Sequence, residues 1–350
     1  MSADRSPEFA QPSELDIRGI AKRAAFFLVV AAIAIALLLT LPGVDEVRDR
    51  LTAAEPGWIA VAAASSVVSV FGFVRALWAA FDRMVPWRRA VLLGFSEQGA
   101  NVLLPAGGAG GPALGVVIMR RAGVPTDLAA ERHVVLFLAT SAVSFFALAI
   151  AGVATFLFGG GSALATLLPA GLALVVIALA LAFARLPPPR HARGGKLLRG
   201  FWRIWRFLHD GVRKTVAVLA RGDRLLIVGA ITYYALDVAA LGAMFQAFGG
   251  GGPGLGAFVL AYTLGHAGAL LPTPGGVGGT EGGLIGMFVL YGAPVGLATA
   301  AVLGYRVFQL GLPAVLGAIS MLRIRKILAD DSRRAAIAAR FAAAREGRPS

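Results

Sequence analysis

The sequence predicts an all-α polytopic membrane protein. It predicts an inverted repeat of two units, each with a Gly/Pro-broken hairpin between spanning helices; the first reads as re-entrant, because 112–119 is too short to span, and the second as re-entrant or spanning, because 255–271 is long enough to span alone. Three observations lead there. The chain of 350 residues is 57% hydrophobic and only 15% charged, with mean hydropathy +0.76, too apolar for a soluble domain that needs a charged surface. Its Lys and Arg gather in a few connecting segments. A Pro/Gly-rich stretch occurs twice, each time inside apolar sequence.

A spanning helix takes about 20 predominantly apolar residues. Six segments qualify: 24–41, 58–81, 134–158, 163–185, 225–248 and 296–322. The first reads as a spanning anchor rather than a cleaved signal, because its preamble is long and polar and no small-x-small site follows. Residues 187–224 carry ten basic side chains against two acidic, and 323–350 carry eight against three. Residues 42–55 carry two against four, while 159–162 and 249–254 carry none. Lys and Arg accumulate on the cytoplasmic side. Both termini and 187–224 are therefore expected inside a cell (inner) membrane, with 42–55, 159–162 and 249–254 outside.

The organisation that follows is a cytoplasmic segment 1–23, a first membrane half 24–186 with its hairpin at 87–121, and a basic loop 187–224. A second membrane half 225–322 with its hairpin at 255–292 and a basic tail 323–350 complete it. The net charge of +14 reads as topology, and no nucleic-acid partner is expected, since no soluble domain is large enough to use it. In the basic loop, Arg199, Arg203, Arg206 and Arg213 fall near one helical face, with Leu198, Phe201, Trp205 and Leu208 near the other. Two readings stay open: a helix on the inner leaflet touching anionic lipid, or a connector packed on the bundle.

The repeat is ordered. Leu103-Leu104-Pro105 lies 167 positions before Leu270-Leu271-Pro272, and Phe81, Pro86 and Ala90 precede Phe248, Pro253 and Ala257 by the same interval. After one inserted residue, the Gly107–Gly111 run lies 168 before the Gly275–Gly279 run. By the charge pattern, the first copy enters its hairpin from inside and the second from outside. Paired, interrupted segments in inverted repeats mark transporters and point to their binding sites. Irregular backbone at membrane depth must be buried in protein or line a wet cavity.

Ionisable and polar residues inside apolar segments are Glu97, Asn101, Glu281, Asp237, Arg75, Arg306 and His266. Such groups are costly there and usually face the bundle interior or a water path. The candidate substrate-binding set from the first copy is Glu97, Asn101, Pro105, Gly107, Gly108, Gly110 and Gly111, with Arg120 and Arg121 beyond the turn. From the second copy it is Pro274, Gly275, Gly276, Gly278 and Glu281, with Tyr305 and Arg306 in the last span. The glycine turns permit either close helix packing or a nest of backbone N–H groups for a phosphate. There are no cysteines, no nucleotide loop, and no second histidine or Ser–Asp pair beside His266. No catalytic residue, cofactor or metal is expected.

At this point a resemblance enters. "PTPGGVGGTEGG" followed by Tyr305-Arg306 resembles the PGGxGxxE and YR motifs of the lysylphosphatidylglycerol synthase transmembrane, or flippase-like, family. "NVLLPAGGAGG" followed by Arg120-Arg121-Ala122-Gly123 resembles that family's first Pro/Gly hairpin, departing at Pro112 and Ala113, where members often carry a charge. The likeness runs over about residues 20–325. It implies a relative of the membrane half that moves aminoacylated phosphatidylglycerol, and it carries over Pro274, Gly275, Gly276, Gly278, Glu281 and Arg306. Only 28 residues follow Leu322, so no synthase domain and no lysyl-lipid synthesis are expected.

The leading expectation is a flippase-like transporter of an anionic or phosphate-bearing lipid, such as an aminoacylated phospholipid or a polyprenyl-linked sugar. The alternatives are an ion-coupled carrier of a small polar solute and a non-transporting partner of an envelope-lipid enzyme. Membrane lipids and a separately encoded lipid-modifying enzyme are the partners this implies.

Overall fold

A computed structural model describes residues 45–104, 108–159, 161–187, 196–270 and 273–328. All belong to the second of two compact units, Pro42–Ser350. The expected anchor at 24–41, the segment 1–23 and the tail beyond Leu328 lie outside them.

The helices run in order as α1 (Asp45–Thr52), α2 (Pro56–Ala80), α3 (Trp87–Leu103), α4 (Gly110–Arg121), α5 (Thr126–Phe158) and α6 (Ala163–Arg185). There follow α7 (Lys196–Ala220), α8 (Arg224–Ala247), α9 (Leu255–Gly265), two 3-10 turns (His266–Leu270, Pro274–Gly276), α10 (Gly279–Leu290) and α11 (Val295–Leu328). Among the described residues α2, α5, α6, α8 and α11 are long and apolar enough to cross a membrane, which makes this a multi-pass membrane protein.

Local sequence sets the starts. Proline opens α2, where the missing N–H costs nothing. Ser162 accepts the Ala165 N–H at 3.3 Å, and Asp223 accepts those of Leu225 and Leu226 at 3.0 and 3.2 Å. Two spans outrun the apolar windows expected at 134–158 and 296–322. α5 begins at Thr126, since Pro125 precedes it and Asp127 suits the first turn. α11 runs to Leu328, with Arg325 and Lys326 in its last turn. At about 1.5 Å per residue α5 is about 50 Å long against a hydrocarbon core of about 30 Å, so its polar first turns reach past the apolar layer or the helix tilts.

Apolar sequence continues to residue 271, yet α9 ends at Gly265 and continues as a 3-10 turn. Close packing explains the stop. A Cβ on Gly265 would lie 2.7 Å from the Leu284 Cα, and one on Gly268 would overlap the Gly279 carbonyl, so α9 and α10 press backbone against backbone. α3, α4, α9 and α10 each have fewer than the roughly 20 residues a span requires.

One succession of elements occurs twice. α2, α3, α4 and α5 correspond to α8, α9, α10 and α11, with starts at Thr126 and Val295 separated by 169 positions. Phe81 and Phe248 cap the equivalent helices α2 and α8. The largest contact is α2 on α8, followed by α11 on α3, with α9 packed on α5. Small residues make these contacts close: a Cβ on Gly229 would lie 2.6 Å from the Ala76 nitrogen, and one on Gly99 2.8 Å from the Gly317 Cα. One apolar core, including Leu77, Phe81, Leu93 and Leu136, joins α2, α3 and α5. α6 keeps Leu164, Leu168, Leu172 and Leu179 on its outside, a surface suited to acyl chains rather than water.

Candidate functional site

The broken segments α3–α4 and α9–α10 bound a cavity of about 230 Å³. α3 contributes Gln98 and Asn101, the first turn contributes Gly108, and the second broken segment contributes His266, Gly275, Gly276 and Thr280. α2 adds Ser66 and Ser69, α8 adds Tyr233 and Asp237, and α11 adds Arg306, Gln309 and Pro313. Polar side chains such as these, inside a bundle of apolar helices, are expensive unless they meet one another, water or a polar ligand.

Arg306 organises one side. Its Nε donates to Glu281 Oε1 at 2.7 Å, Nη2 to the Gly275 carbonyl at 2.5 Å, and Nη1 to Gln309 Oε1. Glu281 Oε2 accepts the Gly278 N–H at 2.7 Å, closing the first turn of α10. The guanidinium thus holds the Pro274–Gly276 turn and the start of α10 against α11. Positive φ at Gly275, Gly276 and Gly278 gives this turn its shape, which an L side chain adopts only with strain.

The network continues through Gln309, whose Nε2 donates to His266 Nε2 at 3.2 Å. His266 Nδ1 donates to the Tyr262 carbonyl at 2.9 Å. Donors and acceptors match only if the imidazole is neutral with its hydrogen on Nδ1. Pro313 lacks an N–H, so the backbone carbonyl of Gln309, four residues earlier, loses its helical partner beside the cavity.

Asp237 organises the other side. Its Oδ2 accepts the Tyr262 and Tyr305 hydroxyls at 2.6 and 2.8 Å. Both donors are charge-assisted, which stabilises the carboxylate at the cavity wall. Tyr305 is fully buried, so it positions Asp237 rather than facing the cavity.

The sequence candidates separate accordingly. Asn101, Gly108, Gly275, Gly276 and Arg306 line the cavity, and Pro274, Gly278, Glu281 and Tyr305 support it. Pro105 and Gly107 lie outside the described residues. Gly110 and Gly111 are buried at the start of α4, where the Gly111 N–H donates to Asn101 Oδ1 at 2.7 Å. That amide and the Gly278 N–H are therefore occupied by side chains of this chain. Arg120 and Arg121 stand exposed in the last turn of α4, about 15 Å along the helix from its glycines. They match the negative end of the helix dipole and do not line the cavity. Glu97 is fully buried and bonds to His133, away from the cavity wall.

The candidate set omitted Asp237, Gln98, Gln309, Tyr262 and His133. Asp237 is an acid inside an apolar run, a signal plain in the sequence. Gln309 follows Arg306 by one helical turn, the spacing at which side chains meet. His133 was hidden because it falls one residue before the apolar window expected at 134–158. Among the described residues, no group of three or more His, Asp or Glu is placed to hold a metal ion.

Comparison with curated proteins finds no match. The model of the lysylphosphatidylglycerol synthase TM region matches residues 25–317, spanning both broken segments and every residue of the Asp237 and Arg306 networks. Membrane-spanning helices, the Pro/Gly turns and this match agree: the chain belongs to the lysylphosphatidylglycerol synthase transmembrane-region family, a family of membrane proteins of lipid metabolism or transport.

Proposed function

We propose that the protein moves an anionic or phosphate-bearing lipid between the leaflets, its headgroup passing through the cavity between the two broken segments. The observation that carries this is the cavity itself, a chamber with Arg306 and other polar side chains in its wall, where Gly108 of the first broken segment comes to the same space as Gly275 and Gly276 of the second. Ligand sites that enclose a whole drug-sized molecule measure about 300–1,000 Å³. At about 230 Å³ the cavity suits a headgroup whose acyl chains stay in the bilayer. The family match favours lipid as the cargo.

In this reading α3–α4 and α9–α10 are re-entrant hairpins of an inverted repeat. The reciprocal packing of α3 on α11 and α9 on α5 supports it, as expected of two units exchanging equivalent contacts. Gln98, Asn101 and Arg306 contact the phosphate-bearing group, Arg306 through charge-assisted bonds. Basic α7 lies against the inner leaflet, where exposed Ile204, Phe207 and Leu208 meet the acyl boundary and arginines meet anionic lipid.

The test reconstitutes the protein in liposomes with headgroup-labelled phosphatidylglycerol or a polyprenyl-phosphate analogue and follows quenching of outer-leaflet label. Faster exchange than in empty liposomes is expected. Rates equal to empty liposomes for every anionic lipid, with saturable uptake of a soluble solute, would replace the lipid reading by a solute carrier.

A further inference from the structure

Glu97 on α3 and His133 on α5 form a polar pair apart from the cavity. Glu97 has no solvent exposure and His133 has 4%. His133 Nε2 lies 2.8 Å from Glu97 Oε1, and Nδ1 lies 2.7 Å from the Ala129 carbonyl. A carbonyl only accepts, so Nδ1 carries a hydrogen. The Nε2–Oε1 contact then requires one more proton, on the imidazole or on the carboxyl. Imidazolium with carboxylate and imidazole with carboxylic acid are the two forms, and both hold one transferable proton.

The surroundings enclose the pair. Glu97 Oε2 is buried without a hydrogen-bond partner, so this carboxyl has one oxygen on His133 and the other away from any protein donor. A Cβ on Gly115 of α4 would overlap both Glu97 Oε1 and His133 Nε2, so α4 closes the pair on one side. The Phe81 ring packs against the imidazole with centroids 5.3 Å apart.

The charged groups on neighbouring elements sit in ion pairs, at helix ends or at exposed positions. Arg132 pairs with Asp82 at 2.5 Å, and Glu131 pairs with Lys214 of α7. Arg75 on α2 and Arg120 and Arg121 on α4 are exposed. His209 of α7 bonds the Leu186 carbonyl, and Arg185 ends α6. Asp237 of α8, His266 after α9 and Arg306 of α11 belong to the cavity networks.

The pair also links moving parts in the proposed mechanism. Gln98 and Asn101, beside Glu97 on α3, line the cavity, and Asn101 holds the start of α4. Displacing the α3–α4 segment from α5 separates Glu97 from His133 and opens both to water. We propose that the Glu97–His133 pair is a proton-binding site that couples movement of α3–α4, and the lipid with it, to a transmembrane proton gradient. The coupling rests on the transporter reading above; the proton site stands without it.

Two measurements on the full-length protein test this. Infrared difference spectra of purified protein, taken across a pH titration, should contain a carboxyl or carboxylate band of Glu97 that Glu97→Gln removes and His133→Gln shifts in its titration. In proteoliposomes with labelled phosphatidylglycerol and the membrane potential clamped, an imposed pH difference should change the wild-type flipping rate severalfold. In folded Glu97→Gln and His133→Gln the ratio of rates with and without the gradient should fall to one. Wild-type flipping indifferent to the gradient would overturn the coupling. Flipping with no Glu97-dependent band would overturn the proton site and leave the transporter. A titrating band without flipping of any lipid would uphold the site, and would remove the coupling together with the transporter reading.

Discussion

Arg306 of α11 and Glu281 in the first turn of α10 form an ion pair at 2.7 Å, with side chains 7% and 17% exposed. The pair fastens the second broken segment to the last span, and the same guanidinium reaches the Gly275 carbonyl and Gln309. Removing either charge leaves the other without its partner. Glu281→Gln and Arg306→Gln should each lower thermal stability in detergent by about 2 kcal/mol, between buried pairs in soluble proteins and polar contacts in membranes. Each should also abolish lipid flipping. In a double-mutant cycle the combined variant should cost less than the sum of the two. Additive losses would mean that the pair is not energetically coupled.

Asp237 depends on two hydroxyls. Losing both in Tyr262→Phe/Tyr305→Phe should destabilise the protein by about 1–3 kcal/mol, because the carboxylate loses its donors. Asp237→Asn keeps a hydrogen-bonding partner for the tyrosines and should lose transport with little change in melting temperature. A fully active Asp237→Asn protein would remove Asp237 from the transport path.

The crossing of α3 and α11 has no room for a methyl group, since a Cβ on Gly99 would meet backbone at Gly317 and at the Pro313 carbonyl. Gly99→Ala should cost about 1–3 kcal/mol. Gly171 on α6 faces open space, and Gly171→Ala should be neutral or stabilise by up to about 1 kcal/mol. Equal melting temperatures for the two variants would contradict the packing.

Orientation is testable in a chain without native cysteine. Gly254 has open space around it and Arg206 is exposed on α7. In intact cells an impermeant thiol reagent should label Gly254→Cys and spare Arg206→Cys. The opposite pattern would reverse the proposed topology.

Much of this was legible in the sequence because membranes impose simple rules. Apolar length gives the spans, with end errors at Thr126 and Leu328 where helices outrun their apolar windows. Recurrence of Phe81, Pro86 and the glycine run in the second copy announced two broken segments. Glu281 and Arg306 stood out as charges in apolar surroundings. Partnership was not legible. Nothing in the order of residues says that Asn101 bonds to the Gly111 amide, or that Glu97 turns toward His133 on α5. Those contacts depend on how the helices cross in space, and crossings such as that of α3 on α11 are set by glycines, Gly99 and Gly317, whose partners lie far along the chain.

The contact between α2 and α8 at Gly72 and Gly229 has a mechanical consequence. Main chain meets main chain there, with a Cβ on Gly72 falling 2.6 Å from the Tyr233 nitrogen. Where backbone meets backbone no rotamer can yield, so sliding at that crossing requires lifting one helix off the other. The crossing therefore resists shear between α2 and α8, and a displacement of one helix there carries the other with it.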